Sequence, residues 1–477
     1  FAWHSNGNLY GPENGLGVTG TYPASGTAPC LGFANTSLHN PGPQNDYLMN
    51  LKFGQYYGHP NPHRNECVFK DGALQGVAPL PNYEAPIFDL GPNRSANGII
   101  EYTADNFCGR MQGNLLIANY SAGDNITRVV LSADGSSVLT SSSLIGGFND
   151  PLPLAMGPNG VIFVGEFGSD LVTTLIPIEF GCWDTVAPMP ASLLDLGGTA
   201  VDGKLYAVGG EMLVGGHSSA MYIYDPVLNE WSQGSDLPGA AVENPMAVGL
   251  NGLLYVFGGA TESFTGAQST ANVYDPGTGL WSPLAPMPTP RSGGACAAIT
   301  VLIYLAGGMD NNGASINTLE IYDPVGNSWS SGAPMLEPRD GPVGAALNGE
   351  FYVFGGRIRQ ANGTEVVATM QTVEAYNPGT NSWTPKALMP SGRRTAVIGT
   401  LNGRAQIAGG EKTPQGGTFA ANEEYDPISN TWRVLEPMKT PRHGAVGGVI
   451  DGVFYAAGGG PDGGTSFSNV TEAFTLP

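Results

Sequence analysis

Four arginines recur at one spacing. Arg291, Arg339, Arg393 and Arg442 each stand ten residues after a tryptophan, namely Trp281, Trp329, Trp383 and Trp432. A guanidinium is permanently charged and offers a planar fork of donors that matches carboxylate and sulfate groups. The chain has only 19 Lys and Arg against 40 Asp and Glu, so four such groups at one repeat position make a basic arc in an acidic field. Set around one mouth of a ring, they suit recognition of a carboxylate, a sulfated sugar or an acidic loop. They suit a second role equally well, as staples paired with acids or carbonyls of a neighbouring repeat. The equivalent places in the two preceding repeats are Leu193 and Ala241.

The histidines carry less. His59 and His63 flank Pro60 and Pro62, and the prolines forbid the helix that would set both rings on one face as metal ligands. In the C-terminal part only His217 and His443 occur, too few for a copper centre of His and Tyr ligands. No metal site is expected.

The elements that must position the arginines are read from an internal period. A short apolar strand ends in Gly-Gly at 209–210, 258–259, 307–308, 355–356, 409–410 and 458–459. A variable loop follows, then Tyr-Asp-Pro or a variant beginning at Tyr224, Tyr274, Tyr322, Tyr376 and Tyr425. Tryptophans come next at Trp231, Trp281, Trp329, Trp383 and Trp432, spaced by 50, 48, 54 and 49 residues. Each unit has the length for four short strands. One such sheet cannot bury both faces alone, so the units must stack around an axis. The sixth repeat ends in VTEAFTLP without a tryptophan, while Trp183 has no strands of its own repeat before it. The Trp183 strand is therefore expected to complete the blade begun by residues 443–477 and to close a six-membered ring.

The motif, repeated six times over about 181–477, resembles the kelch repeat. The resemblance implies a six-bladed β-propeller over 178–477 that serves binding rather than catalysis.

Residues 1–177 lack that pattern. They hold two copies of another unit, FAWHSNGNLYGPENG at the start and LAMGPNGVIFVGEFG from Leu154, in which Ala2 meets Ala155, Tyr10 meets Phe163 and Glu13 meets Glu166. With Asp46–Pro60 and ANYSAGDNITRVVLSADG, this part resembles the closing blades of glucose/sorbosone dehydrogenases, the soluble quinoprotein propellers, although His59 stands where that family has Trp. The resemblance implies an all-β, partial propeller of about three blades, related to quinoprotein and NHL-type rings. Three blades do not close a ring. Earlier blades, a neighbouring chain or a self-assembled copy are expected to supply the rest, unless the part is a remnant packed on the kelch ring. The family's catalytic His lies in the earlier blades, so no catalytic residue is carried over. PQQ and calcium belong only to the alternative reading, a sugar dehydrogenase with a kelch accessory domain; otherwise no cofactor is expected.

Composition bounds the remaining classes. A formal net charge of -21 with scattered acids repels phosphate backbones, so nucleic acid is not an expected partner. No apolar run is long enough to span a membrane as a helix. Asn-x-Ser/Thr acceptors at Asn35, Asn93, Asn119, Asn125, Asn362 and Asn469 point to a secreted or cell-surface glycoprotein, with glycans expected on Asn119 and Asn125. Five cysteines fit that compartment. Cys30, Cys67, Cys108 and Cys182 lie in loop-like sequence and suit two disulfides, Cys30 with Cys67 and Cys108 with Cys182 being the favoured of three pairings. Cys296, in GGACAAI, reads as a free core thiol. The expected function is an extracellular scaffold for protein or glycan partners, with a structural subunit of an extracellular polymer as a further alternative.

Overall fold

In the computed structural model of the chain, Cys182–Val186 pairs antiparallel with Thr471–Thr475 in the sheet that also holds Val446–Ile450 and Val453–Ala457. The last blade thus draws its outer strand from the start of its unit, as the unmatched Trp183 required. The structure describes residues 1–13, 21–22, 38–39, 45–52, 55, 68–70, 73–75, 84–92, 94–120, 123–177, 181–263, 265–361, 366–367, 369–413 and 416–476. The chain divides into two units, Phe1–Glu179 and Phe180–Pro477.

The second unit is six four-stranded antiparallel sheets among the described residues. Their innermost strands are Gly197–Val201, Met246–Leu250, Ala295–Ile299, Val343–Leu347, Val397–Leu401 and Val446–Ile450. The second strand of each blade is buried on both faces over its last four residues, as LYAV, LYVF and FYVF anticipate, because it is sandwiched within the blade and between blades; Gln406 is the one polar side chain among those residues apart from the tyrosines. The repeat residues have separate jobs. Every blade tryptophan donates its indole N–H to a carbonyl of the preceding blade, at 2.7–3.1 Å, to Ala187, Ser235, Ala285, Ala333, Ala387 and, from Trp183, Glu436. The blade tyrosine packs its ring, tilted, on that indole (Tyr322 and Trp329 centroids lie 4.9 Å apart), and Tyr224, Tyr322, Tyr376 and Tyr425 each donate the hydroxyl to an asparagine in left-handed backbone, such as Asn327. That asparagine oxygen also accepts the Ala285 N–H of the neighbouring blade.

A second belt closes the ring at its axis. Asn244 N–H donates to Asp195 O, Gly293 to Asn244, Gly341 to Gly293, Thr395 to Gly341 and Gly444 to Thr395, and Leu196 N–H returns to Gly444 O, all within 2.7–3.1 Å. The six residues whose carbonyls accept these bonds hold positive φ, from 46° to 66°, the price of turning each blade exit into the next inner strand. Inside this belt lies a channel of about 400 Å³ whose walls are mainly Gly, Ala and Val.

The first unit has three larger sheets among its described residues. The first orders Ala2–Trp3, Leu9–Glu13, Asn45–Leu51 and Phe88–Pro92, and the second Ala96–Tyr102, Asn114–Asn119, Asn125–Leu131 and Val138–Gly146. The third has only Pro151–Met156, Ile162–Glu166 and Leu171–Leu175. The duplicated sequence is a duplicated structure: Ala2 pairs with Tyr10 and Trp3 with Leu9, as Ala155 pairs with Phe163 and Met156 with Ile162.

One expectation is corrected. Asn119 is 1% exposed, and its amide donates to Asn125 Oδ1 (2.7 Å) and Thr127 Oγ1 (2.8 Å). The strand Asn114–Asn119 is buried along its whole length, so a glycan has no path to Asn119. Asn125 is half-buried, with its amide on Ser143 Oγ. Asn469 donates to the Met189 carbonyl at 3.1 Å, a bond that ties the last blade to the loop after Trp183. Cys296 is free, as expected, and packs against the core cluster that holds Val248, Phe257 and Leu305, on a strand that also lines the channel. Its thiol donates to Ala247 O at 3.3 Å, and burial pushes its pKa up to about 12. Cys108 and Cys182 are disulfide-bonded. Cys30, Cys67, His59, His63, Asn35, Asn93 and Asn362 lie outside the described residues.

Candidate functional site

The four arginines do not rim the mouth. Arg291, Arg339 and Arg442 are 0% exposed and Arg393 1%. Each is locked by two blades. Its carbonyl accepts the N–H of the second glycine of the preceding blade's Gly-Gly, as in Gly308 to Arg339 at 2.7 Å and Gly410 to Arg442 at 2.8 Å. Its guanidinium reaches the carbonyl of the first glycine of its own blade's pair: Gly307 at 2.9 Å, Gly355 at 3.0 Å, Gly409 at 2.9 Å and Gly458 at 3.2 Å. The arginine carbonyl also packs so closely on the first glycine of the preceding pair that no side chain fits there: a Cβ on Gly258 or Gly355 would lie 2.2 or 2.4 Å from the Arg291 or Arg393 carbonyl oxygen.

Each charge is met by a buried glutamate. Arg291 pairs with Glu320 at 2.8 Å, Arg339 with Glu374, Arg393 with Glu423 at 2.6 Å and Arg442 with Glu472 at 3.1 Å. Burial holds the Arg291, Arg393 and Arg442 pKa values below the ordinary range and raises that of Glu423, with the partner charge opposing the shift in each case. The arginines are structural staples, and the basic arc expected at the mouth is absent. The fold also shifts one equivalence: Val242, not Ala241, accepts the Gly210 N–H and so holds the arginine place.

The mouth belongs to the next residue along. Leu194, Glu243, Ser292, Asp340, Arg394 and His443 each bridge to the residue after a Gly-Gly pair: Glu211, Ala260, Met309, Arg357, Glu411 and Gly460. These twelve positions crown the axial hydrogen-bond belt. On blades one and two, oxygens of Asp195, Glu211 and Glu243 lie within 4.8 Å of one another, and His217 Nε2 is 3.3 Å from Glu243 Oε2. Glu243 is 5% exposed. Burial, then the charges of Asp195 and Glu211, push its pKa up to about 7, against the pull of Ser263 and Arg394. Glu211 is raised by burial and by Asp195, with His217 opposing.

The opposite side gathers three arginines, two of them paired with acids. Arg357 and Arg359 are each 6% exposed, and Arg394 is partly buried. Asp340 accepts from Arg357 Nε at 2.8 Å, Glu411 pairs with Arg394, and Arg359 Nη1 touches Met309 Sδ at 3.4 Å. Burial lowers the Arg357 and Arg359 pKa values, and the mutual repulsion with Arg394 adds to it. The mouth is therefore a polar ring, above the axial channel, with an acidic pole and an arginine-rich pole in which Arg357 and Arg394 are ion-paired. A ligand bearing both charges satisfies both poles.

The acidic pole has a pH signature. The folded-state pKa of Glu243, about 7, lies above the ordinary glutamate value of about 4.3. The folded form then binds the extra proton, so the stabilisation is whole below about pH 4.3 and is lost as pH rises through 7. Glu243→Gln is expected to raise the melting temperature of the ring by several degrees at pH 8, on the order of 2 kcal/mol, and to leave it unchanged near pH 4. Calorimetry of both proteins across that range checks the sign.

Residues 180–477 form a kelch β-propeller. The family model for the KLHDC2/KLHL20/DRC7 kelch-repeats domain matches residues 246–460, and the Kelch motif matches 194–238. Among similar proteins, Kelch-like protein 15 of Danio rerio is 34% identical over 152 residues, covering 28% of this chain and 25% of that protein. An F-box/kelch-repeat protein of Arabidopsis thaliana is 36% identical over 115 residues, covering 23% of this chain and 30% of its own length. The chain thus matches about a quarter to a third of these relatives. The solved structure of YjhT aligns with a TM-score of 0.51 at 16% identity, covering 61% of this chain and 97% of that one, a likeness of fold.

Proposed function

We propose that the chain is a protein-binding scaffold whose recognition surface is the charged mouth of the kelch ring. The carrying observation is the separation of Asp195, Glu211 and Glu243 from Arg357, Arg359 and Arg394 around one opening. A partially desolvated charge discriminates between ligands more strongly than an exposed one, because an unmatched partner leaves it uncompensated. The favoured ligand is a peptide segment or loop that offers a basic side chain to the first pole and an acidic one to the second. Leu213 and Val214, 69% and 89% exposed on the loop after Glu211, add an apolar contact at the rim. Support for an extracellular location comes from the disulfide-bonded Cys108 and Cys182 and from the partly accessible acceptor Asn125.

The test is selection from a displayed random-peptide library on the purified chain. Enriched peptides are expected to carry at least one basic and one acidic residue, with binding that weakens as salt rises. Enrichment of uniformly apolar or uniformly acidic peptides would overturn the two-pole reading.

A further inference from the structure

The interface between blades five and six of the kelch ring departs from the plan of the other five. Blade five is Val397–Leu401, Arg404–Ala408, Asn422–Asp426 and Thr431–Leu435; blade six is Val446–Ile450, Val453–Ala457 and Thr471–Thr475 with Cys182–Val186. At the other five interfaces a second-strand tyrosine packs on the next blade's third-strand tyrosine, as Tyr352 does on Tyr425 and Tyr455 on Tyr224, with ring centroids 5.6–6.4 Å apart. Between blades five and six the two places hold Gln406 and Phe474. Gln406 is 0% exposed. Its amide reaches Glu424 Oε2 at 3.4 Å, and its Oε1 meets no hydrogen-bond donor among the described residues.

Asn422 stands on the same face. It pairs across the sheet with Ala408 and Leu435, which pack in one cluster with Trp183, Phe454 and Phe474 of blade six. Cross-strand partners share a face, so the Asn422 amide is set against blade six. It is 0% exposed, and neither Oδ1 nor Nδ2 has a partner among the described residues. Blades one to four place Met221, Ala271, Leu319 and Val373 there. Thr471 of blade six is polar too, but its interface keeps the Tyr455–Tyr224 contact. Topology removes a further tie. The turn between the third and fourth strands carries an asparagine that holds the preceding blade, as Asn430 Oδ1 accepts the Ala387 N–H at 2.8 Å. Blade six takes its outer strand from Cys182–Val186, so no such turn joins it to Thr471–Thr475.

We propose that the kelch ring opens locally between blades five and six while its other interfaces stay closed. A buried amide without a partner has lost water and gained nothing in exchange. Opening this interface rehydrates Gln406 and Asn422, whereas opening any other exposes a tyrosine pair. The seam reaches the mouth. Glu411 of blade five, 2% exposed, pairs with Arg394, accepts the Gly464 N–H of blade six at 3.3 Å and lies 3.7 Å from His443 Nε2. The open state parts Glu411 from His443 and Gly464, and it does so whatever the mouth binds.

One equivalent probe crosses every interface. The N–H groups of Gly210, Gly259, Gly308, Gly356, Gly410 and Gly459 each donate to a carbonyl leading into the next blade, at 2.7–3.1 Å. Hydrogen exchange of the full chain, read residue by residue by mass spectrometry, compares them. After correction for intrinsic rates, Gly410 is expected to exchange about tenfold faster than the other five, or more. Asn422→Val and Gln406→Met, made separately, each remove an unpaired amide at nearly constant volume. Each is expected to slow Gly410 by about tenfold and to leave Gly308 unchanged. Val373→Asn copies the defect into blade four and is expected to speed Gly356, the amide that crosses from blade four to blade five. Equal exchange at the six glycines, or fastest exchange at another of them, overturns the proposal. So does a Gly410 that neither seam substitution slows, or a Gly356 indifferent to Val373→Asn.

Discussion

Removal of residues 465–477 is expected to abolish the cooperative unfolding transition of the kelch ring. The deletion takes away Thr471–Thr475, which pairs on one side with Val453–Ala457 and on the other with Cys182–Val186. It strips both ladders of the closing blade and leaves the Trp183 strand without its sheet. It also removes Glu472, 0% exposed, and so strands the buried Arg442 charge. That single loss costs about 3–5 kcal/mol. Phe474, 0% exposed and stacked on Trp183 with centroids 5.1 Å apart, adds a further 3–5 kcal/mol or so. The sum meets the whole stability of an ordinary domain, about 5–15 kcal/mol. Near-ultraviolet circular dichroism of the truncated chain should show lost tryptophan asymmetry at 25 °C. A truncated protein that melts cooperatively within a few degrees of the parent would mean that the ring does not depend on its closing strand.

The second large effect falls on a single side chain. Arg339→Ala is expected to destabilise the ring by about 3–5 kcal/mol, because it leaves Glu374, 2% exposed, without its counter-charge, and the carbonyls of Gly355 and Thr372 without a donor. Lys439→Ala breaks the surface pair with Asp184, whose side chains are 53% and 77% exposed, and is expected to change stability by less than about 1 kcal/mol. Replacing Arg339 and Glu374 together by Met and Leu removes both charges and should recover most of the loss. Urea denaturation of the three variants separates a staple from a ligand-binding arginine. A ligand-binding role would leave Arg339→Ala as stable as Lys439→Ala.

The repeat was legible because its residues do local work that any blade needs. Gly-Gly answers a steric demand, Trp an inter-blade hydrogen bond and Tyr a stacking partner, so each recurs in register. The role of the arginines was not legible from their spacing, since a repeat position fixes a face but not whether a side chain points out or in. A signal was nevertheless present. Glu320, Glu374, Glu423 and Glu472 stand two residues before the blade tyrosine or its Phe474 counterpart, in the same four repeats that carry the arginine. The first two repeats have Tyr222 and Asn272 there and lack the arginine. Paired gain and loss along one chain is what a buried ion pair requires. The mouth residues escaped because they differ from blade to blade: Leu194, Glu243, Ser292, Asp340, Arg394 and His443 share a position and no chemistry. Variation at a fixed place on an otherwise regular ring is itself the mark of a surface that does something other than hold the ring together. Asn119 was misread for a different reason: the acceptor tripeptide says nothing of burial, whereas the apolar run LLIA before it foretold a strand buried on both faces.

The central claim is that the two charged poles of the mouth form the recognition surface. The direct measurement is the affinity of the library-selected peptides for three charge reversals, Glu243→Lys, Arg394→Glu and Asp451→Lys, each first checked for an unchanged fold. Asp451 lies in the turn between Val446–Ile450 and Val453–Ala457, away from the mouth. The first two reversals are expected to weaken binding at least tenfold, about 1.4 kcal/mol each, and Asp451→Lys to leave it unchanged. Equal affinity for the parent and both mouth variants, or a loss confined to Asp451→Lys, would place the binding surface elsewhere on the ring and contradict the account.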